Sequence, residues 1–306
     1  HLNISESRYN LFKSPILPKW QITNDLHLHT SMSDANISPK DLIDKISLTN
    51  INCIAITDHD TTEGIEESVK FGYEKNITTI PGVEISTSFH GSEIHVIGYF
   101  INVKNYYLQA KLKILRESRK KSILETINRL QLLGYKISVE EIKNISNGTV
   151  GRPHIAQIMK SKGYFDTTTE AFEKILSNKK IINIKREKID SIDAIDLITQ
   201  SGGVSVLAHP RSIKNLEKIL PMFVNKGLAG IEVYSEKLTP KTLESLKKLS
   251  EKYNLIPTGG SDYHARNEPN EIQPGMNGPP PYTPEKLFTK AFEIHGSNIG
   301  IIPKGF

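Results

Sequence analysis

The chain has 306 residues, 37% hydrophobic and 24% charged, with a formal net charge of +5 at neutral pH. That balance suits a folded globular chain and excludes a fibrous or low-complexity one; no apolar run is long enough to cross a bilayer as a helix. The small positive excess favours anionic partners without separating nucleic acid from phosphorylated metabolites.

Residues 1–24 lack a basic start followed by an apolar run, so they are expected to form an N-terminal extension and not a signal peptide. Trp20 within it reads as a packing anchor. The first extended run is "DLHLH" (25–29). A helix follows in "SPKDLIDKI", where Ser38 caps and Pro39 takes the first helical position. "INCIAIT" (51–57) is a second strand and carries the single cysteine, Cys53, read as a buried small hydrophobe. A chain without an internal disulfide fits a reducing compartment, and a cytoplasmic location is expected. "ITTIPGVEIS" (77–86) and "EIHVIGYF" (93–100) are the third and fourth strands.

No strand is expected between residues 101 and 203. "NYYLQAKLKILRESRKKSILETINRLQLLGY" is a long helical pattern with Ile123, Ile127 and Leu130 on one face. Its run of Lys111, Lys113, Arg116, Arg119, Lys120 and Lys121 reads either as a solvated helix face or as a basic lip over an anionic substrate. Shorter helices follow, and "DAIDLITQ" already returns to the barrel layer. Strands resume at "VSVLAH" (204–209), "LAGIEVY" (228–234) and "LIPTGG" (255–260), with a helix capped by Thr239 and Pro240 between the last two. The proline-rich stretch "NEIQPGMNGPPPYTPEKLF" then has room to cross the mouth of a site. Strands alternating with helices predict a parallel sheet, and seven of them suggest a TIM-like barrel one strand short. The expected organisation is a barrel over 25–104 and 191–306, interrupted by a helical cap over 105–190.

The metal-type residues fall on this map in a pattern. His27 and His29 end the first strand, Asp34 follows, and Asp58 and His59 end the second in "TDHD". Glu84 ends the third, His95 lies in the fourth, His209 ends the fifth in "LAHP", and Asp262 and His264 follow the seventh in "GGSDYH". Six of the ten histidines therefore sit where an α/β barrel gathers catalytic groups. Imidazole with carboxylate suits manganese, iron or zinc, whereas magnesium and calcium sites are dominated by oxygen. The two imidazoles of His27-x-His29 point to one side of their strand and can grip one ion together. Nine candidate ligands exceed the needs of one ion, and Glu84 can bridge two. Clustered cations make hydroxide available as a nucleophile and neutralise phosphoryl oxygens during in-line displacement.

The blocks "DLHLHTSMSDANISPKDL", "ITDHDT", "PGVEIS", "EIHVIGY", "LAHP" and "GGSDYH" resemble, in order, the signature blocks of the PHP (polymerase and histidinol phosphatase) superfamily. The resemblance implies an α/β fold: a distorted (β/α)7 TIM-like barrel with an α-helical cap inserted between strands four and five. It also implies three divalent metal ions, manganese first and iron or zinc as alternatives. Carried over, the first ion would take His27, His29, Glu84 and Asp262; the second would share Glu84 and add His95 and His209. The third would take Asp34, His59 and His264, with Asp34 standing where some relatives use histidine. Asp25 and Asp58 would stand behind the ligands and orient neighbouring imidazoles.

Within the cap, "GRPHIAQIM" (151–159) resembles the branch of nucleoside 3′,5′-bisphosphate phosphatases and 5′→3′ exoribonucleases. Arg152 offers a planar fork suited to phosphate, His154 one further hydrogen bond, and Arg211 and Arg266 are additional candidates for substrate contact. The expected activity is hydrolysis of nucleotide phosphomonoesters, or of 5′-phosphorylated short RNA, by metal-bound hydroxide. Glu84, Arg152 and His154 would be the catalytic residues, and neither a membrane nor an obligate protein partner is expected. A histidinol-phosphate or sugar-phosphate phosphatase, or an inert nucleic-acid-binding PHP module, are the alternatives.

Overall fold

The computed structural model describes residues 20–145, 148–182, 184–235 and 238–306. Residues 1–19 of the expected N-terminal extension lie outside them. Trp20 packs edge-on against Tyr234, ring centroids 5.0 Å apart.

Strands β1 (Asn24–Leu28), β2 (Cys53–Ile56), β3 (Thr78–Phe89) and β4 (Ser92–Tyr99) come first. A two-residue strand β5 (Ile189–Asp190) and then β6 (Val204–Leu207), β7 (Gly230–Ser235) and β8 (Ile256–Gly260) complete the set. Seven of these run side by side in the order β1-β2-β3-β4-β6-β7-β8, with β5 paired to β3 off that path. Backbone bonds from Asp262 N–H to His27 C=O (2.9 Å) and from His29 N–H to Tyr263 C=O (3.3 Å) join the two edges. The sheet is therefore a nearly closed barrel.

Two expectations need correction. The sheet is not all parallel: β4 runs antiparallel to both β3 and β6, while the remaining neighbours on the path are parallel. The cause is local. Phe89 pairs with Ser92 across His90 and Gly91, whose φ values are 48° and 77°. That is a two-residue hairpin turn, far too short for the crossover that a parallel pair requires. The second correction is β5, which lies inside the stretch expected to hold no strand.

Helices α1 (Pro39–Ile46) and α2 (Ile65–Glu74) lie between the first three strands. Ser38 Oγ accepts the Asp41 N–H at the start of α1, as the Ser-Pro pair predicts. Then α3 (Tyr106–Leu132), α4 (Val139–Ile145), α5 (Arg152–Ser161), α6 (Thr168–Ala171) and a π-helical turn (Phe172–Leu176) separate β4 from β5. Leu108, Leu112 and Leu115 of α3 share a core with Val83, Ile85 and Val96 of the barrel. Further along the same helix, Ile123, Ile127 and Leu130 form a separate core with Ile155, Met159 and Leu176. One helix thus packs on the barrel with its first half and enters the separate core of the insertion with its second.

After β5, α7 (Ser191–Gln200) returns to the barrel, its Ala194, Ile195 and Ile198 buried in the core that holds Val83 and Ile85. The chain continues through α8 (Leu216–Asn225), α9 (Pro240–Lys252) and α10 (Thr283–His295). Leu287 and Ala291 of α10 pack with Leu26, Ala55, Ile80 and Val206. The proline-rich stretch runs from the histidines to the start of β1: Glu271 Oε1 accepts the His264 N–H at 3.2 Å, and the Pro279 and Pro280 carbonyls accept from Asn24 Nδ2 at 3.4 and 3.3 Å. No helix among the described residues is long and apolar enough to cross a membrane.

Candidate metal centre

The barrel brings all nine expected ligands together at one rim. His27 Nε2 lies 3.1 Å from His29 Nε2, 3.2 Å from Glu84 Oε2 and 3.3 Å from Asp262 Oδ1. His29 Nε2 is 3.2 Å from the same Glu84 oxygen and 3.1 Å from Asp262 Oδ1. The other Glu84 oxygen, Oε1, meets His95 Nδ1 at 2.8 Å and His209 Nε2 at 3.0 Å. On the third side, His264 Nε2 is 3.2 Å and His59 Nε2 3.9 Å from Asp34 Oδ1. His95 reaches this rim from the first half of its strand, not from a carboxyl end, because the antiparallel β4 pairs His95 with Ser86.

The donors fit divalent cations. Three overlapping sets each hold ligand atoms within 4.8 Å of one another: His29/Asp34/His59/His264, His27/His29/Glu84/Asp262, and His59/Glu84/His95. Asp34 Oδ1, His59 Nδ1 and His264 Nε2 are buried without a hydrogen-bond partner, although His264 Nε2 and Asp34 Oδ1 stand 3.2 Å apart. Buried polar atoms that crowd without bonding one another require another partner. Imidazoles and carboxylates in this mixture match manganese, iron or zinc.

Electrostatics follow from burying so much charge. Burial opposes the carboxylate of Glu84, yet His59, His27 and His95 outweigh it and hold its pKa well below the usual range. Burial likewise opposes protonated His29 and His95, but their carboxylate neighbours raise both to about 9. His59 goes the other way: burial dominates and its pKa falls well below normal.

The residues behind the ligands differ from expectation. Asp25 does not orient an imidazole; its Oδ1 accepts the Ser261 N–H at 2.9 Å and the His27 N–H at 3.4 Å, and burial pushes its pKa up to about 7. Gly260 permits this seam, since a Cβ there would lie 2.5 Å from the His27 nitrogen and 2.6 Å from Asp25 Oδ1. Asp58 also misses the rings. It takes the Thr30 N–H (2.7 Å), the Thr30 hydroxyl (2.6 Å) and the Ser33 hydroxyl (2.5 Å), fixing the loop that carries Asp34. Short hydroxyls and amides of the same loop simply lie nearer than any ring nitrogen.

The orienting carboxylate is Glu232 on β7, which the sequence reading missed. It is fully buried; Oε1 lies 2.8 Å from His27 Nδ1 and Oε2 accepts the His209 N–H at 2.7 Å. That contact places the His27 proton on Nδ1 and aims Nε2 at the cluster. It also anchors His209 in its left-handed backbone (φ 28°). A second missed carboxylate is Asp60, buried and 2.9 Å from both Arg119 and Arg186. Arg119 is thus no part of a solvated face, and Arg116 donates to the Asp60 carbonyl at 2.9 Å; Lys113, Lys120 and Lys121 are exposed.

Among the expected substrate contacts, Arg152 donates to the Leu176 carbonyl at 3.2 Å and stands 3.8 Å from Glu93. His154 is buried, its Nδ1 accepting the Gly151 N–H at 3.0 Å; burial lowers its pKa, so the neutral ring carries its proton on Nε2. Arg266 lies 3.5 Å from Asp34 Oδ2. Arg211 is exposed on the 3-10 turn that follows His209.

Residues 25–190 match the profile of the family described as PHP domain. A 5′-3′ exoribonuclease of Haemophilus influenzae is 30% identical over 244 residues, covering 78% of this chain and 89% of that protein. A 3′,5′-nucleoside bisphosphate phosphatase of Chromobacterium violaceum is 27% identical, covering 80% and 88%. Among solved structures, a candidate metal-dependent phosphoesterase from Bifidobacterium adolescentis superimposes with a TM-score of 0.82 at 25% identity, covering 90% of this chain and 97% of the other.

Proposed function

The chain belongs to the PHP family and is a metal-dependent hydrolase of phosphoric ester bonds, and from that footing we propose that it hydrolyses phosphomonoesters of nucleotides. The substrates would be a nucleoside 3′,5′-bisphosphate or the 5′-phosphorylated end of a short RNA. The centre would hold three divalent ions, manganese first and iron or zinc next. The observation that carries this reading is the overlap of the donor sets through His29, His59 and Glu84. Ligands shared between sets support several adjacent ions over a single coordination sphere.

His27, His29, Glu84 and Asp262 would hold one ion; Glu84, His95 and His209 a second; Asp34, His59 and His264 a third. Ions bound there would supply an activated water and neutralise the phosphoryl oxygens. Around them Arg152 and Arg266, with Arg211 further out, would orient the phosphate. His154, neutral through burial, would donate from Nε2 and not act as a strong acid. His95, His209 and Asp262 are the ligands left partly exposed, and they mark the side from which substrate enters.

Phosphate release with manganese tests this across adenosine 3′,5′-bisphosphate, 5′-phosphorylated oligoribonucleotides, histidinol phosphate and sugar phosphates. Turnover should concentrate on the first two, and Glu84→Ala should lose both turnover and bound metal. Preference for histidinol or sugar phosphates would replace the nucleotide reading. Full hydrolysis by Glu84→Ala would refute the role given to the cluster.

A further inference from the structure

Two of the clustered residues, Asp262 and His264, sit on a loop whose far end is fastened to the insertion. His264 Nδ1 lies 2.8 Å from the Asp262 carbonyl. A carbonyl only accepts, so the ring carries its proton on Nδ1, and Nε2 is left to face Asp34 Oδ1 at 3.2 Å. The aim of this imidazole is therefore set by the backbone of its own loop. That backbone is sharply bent. Asp262, Ala265 and Asn267 have φ values of 52°, 52° and 55°, a region that residues with a side chain enter when their surroundings hold them there.

Glu271 does the holding. Its Oε1 accepts the His264 N–H at 3.2 Å and the Arg266 N–H at 2.9 Å, and its Oε2 accepts the Asn267 N–H at 3.1 Å. The Glu271 N–H in turn donates to the Glu268 carbonyl at 3.0 Å, so a tight turn joins the two glutamates. Glu268 bonds the insertion. Its Oε1 takes Lys160 Nζ from α5 and the Thr168 hydroxyl from α6, both at 3.0 Å. The Glu268 side chain is 15% exposed and that of Lys160 37%, so solvent screens this ion pair only in part. The same helix α5 begins with Arg152 and His154.

We propose that residues 262–271 form a brace through which the insertion positions the metal ligands of the barrel, with Glu268 and Glu271 as its positioning residues. Glu271 fixes the shape of the brace, and with it the direction of His264. Glu268 fastens that shape to α5 and α6. The helix that carries Arg152 and His154 is thereby tied to the loop that carries Asp262 and His264, and the two groups keep one spacing. This rests on the cluster binding metal and not on which ester is cleaved. Ile155, Met159 and Ala171 belong to the insertion's own core, so breaking the Glu268 contact leaves each part folded and changes only how firmly the loop is held.

Calorimetric titration of chelator-treated protein with manganese, and hydrogen exchange of the loop amides, test the brace without any substrate. Glu268→Ala and Lys160→Met undo the fastening from opposite ends. Each should weaken manganese binding about three- to tenfold, less than the roughly 10- to 100-fold expected on losing a group that touches the ligand itself. Each should also speed exchange at residues 264–267 with an unchanged urea midpoint. Lys160→Arg should restore most of the affinity, which decides the matter if Glu268→Ala folds poorly. Lys174→Met breaks an exposed pair with Glu170 inside the insertion and should alter neither reading. Wild-type affinity and exchange in Lys160→Met, or an equal effect from Lys174→Met, would overturn the brace. If the wild-type protein takes up no manganese, iron or zinc, the cluster reading falls and the exchange rates alone decide the brace.

Discussion

Replacing Glu232 with glutamine tests whether the cluster is built to present ring nitrogens to cations. The wild-type carboxylate accepts two hydrogen bonds, one from His27 Nδ1–H at 2.8 Å and one from the His209 N–H at 2.7 Å. Glutamine keeps the shape but offers one acceptor and one donor. The His209 amide cannot change its role, so the glutamine oxygen must serve it and the NH2 must face His27. That ring then moves its proton to Nε2, the atom that meets His29, Glu84 and Asp262.

Disturbing a residue that orients a metal-bound histidine costs about 10- to 100-fold in metal affinity, or about 1.4–2.8 kcal/mol. A buried hydrogen bond left unmade costs about 1–3 kcal/mol; the two routes agree. Competition against a chromogenic chelator, with metal content after dialysis, measures the loss. Circular dichroism should show an unchanged fold, since the volume is conserved. Wild-type metal affinity in Glu232→Gln would mean that His27 does not bind through Nε2, and the proposed ligand assignment would fail.

Other substitutions and conditions reach different links. Asp60→Ala leaves the buried Arg119 and Arg186 without their carboxylate, and urea unfolding should report a loss of about 3 kcal/mol or more; a loss below about 1 kcal/mol would show that the pair is solvated in practice. For the metal-free protein, His29 and His95 have folded pKa values near 9, against an unfolded value of about 6.5. Their contribution is complete below the lower value and vanishes as pH rises through the higher one. The melting temperature of chelator-treated protein should therefore fall between pH 6.5 and 9, and a rise over that interval contradicts the assignment. Burial drives the Cys53 thiol up to about 12, so Ellman's reagent at pH 8 should label it only after denaturation; prompt labelling of native protein would place Cys53 at the surface.

What could be read before the structure depended on whether the chemistry was repeated. The nine clustered residues are imidazoles and carboxylates, most of them at the end of an extended run in the sequence, and many such residues in comparable places make chance a poor explanation. The barrel was legible for a similar reason: apolar extended runs recur with capped helices between them. The direction of β4 was written in "FHGS", where two turn residues leave no length for a crossover, but the general alternation of strand and helix masked it. Glu232 had no repetition to expose it. Its signal was a lone carboxylate inside "GIEVY", an apolar strand where an unpaired charge would be prohibitively costly to bury. Such a residue implies a donor waiting inside the barrel, even when the sequence does not say which one.

The buried ion pairs between barrel and insertion lie beyond that kind of reading altogether. Lys188 and Glu93 are nearly one hundred residues apart, and Arg119 finds Asp60 from a helix that otherwise looks solvated. "NIKREKID" carries no spacing that distinguishes Arg186 and Lys188 from the exposed Lys120 and Lys121. Only folding sorts the basic residues by what they face, and that sorting determines which of them can meet a phosphate. The gathering of imidazoles and carboxylates can be recognised from residue type and order. The ion pairs across the seam between barrel and insertion join residues far apart in the chain, where neither partner predicts the other.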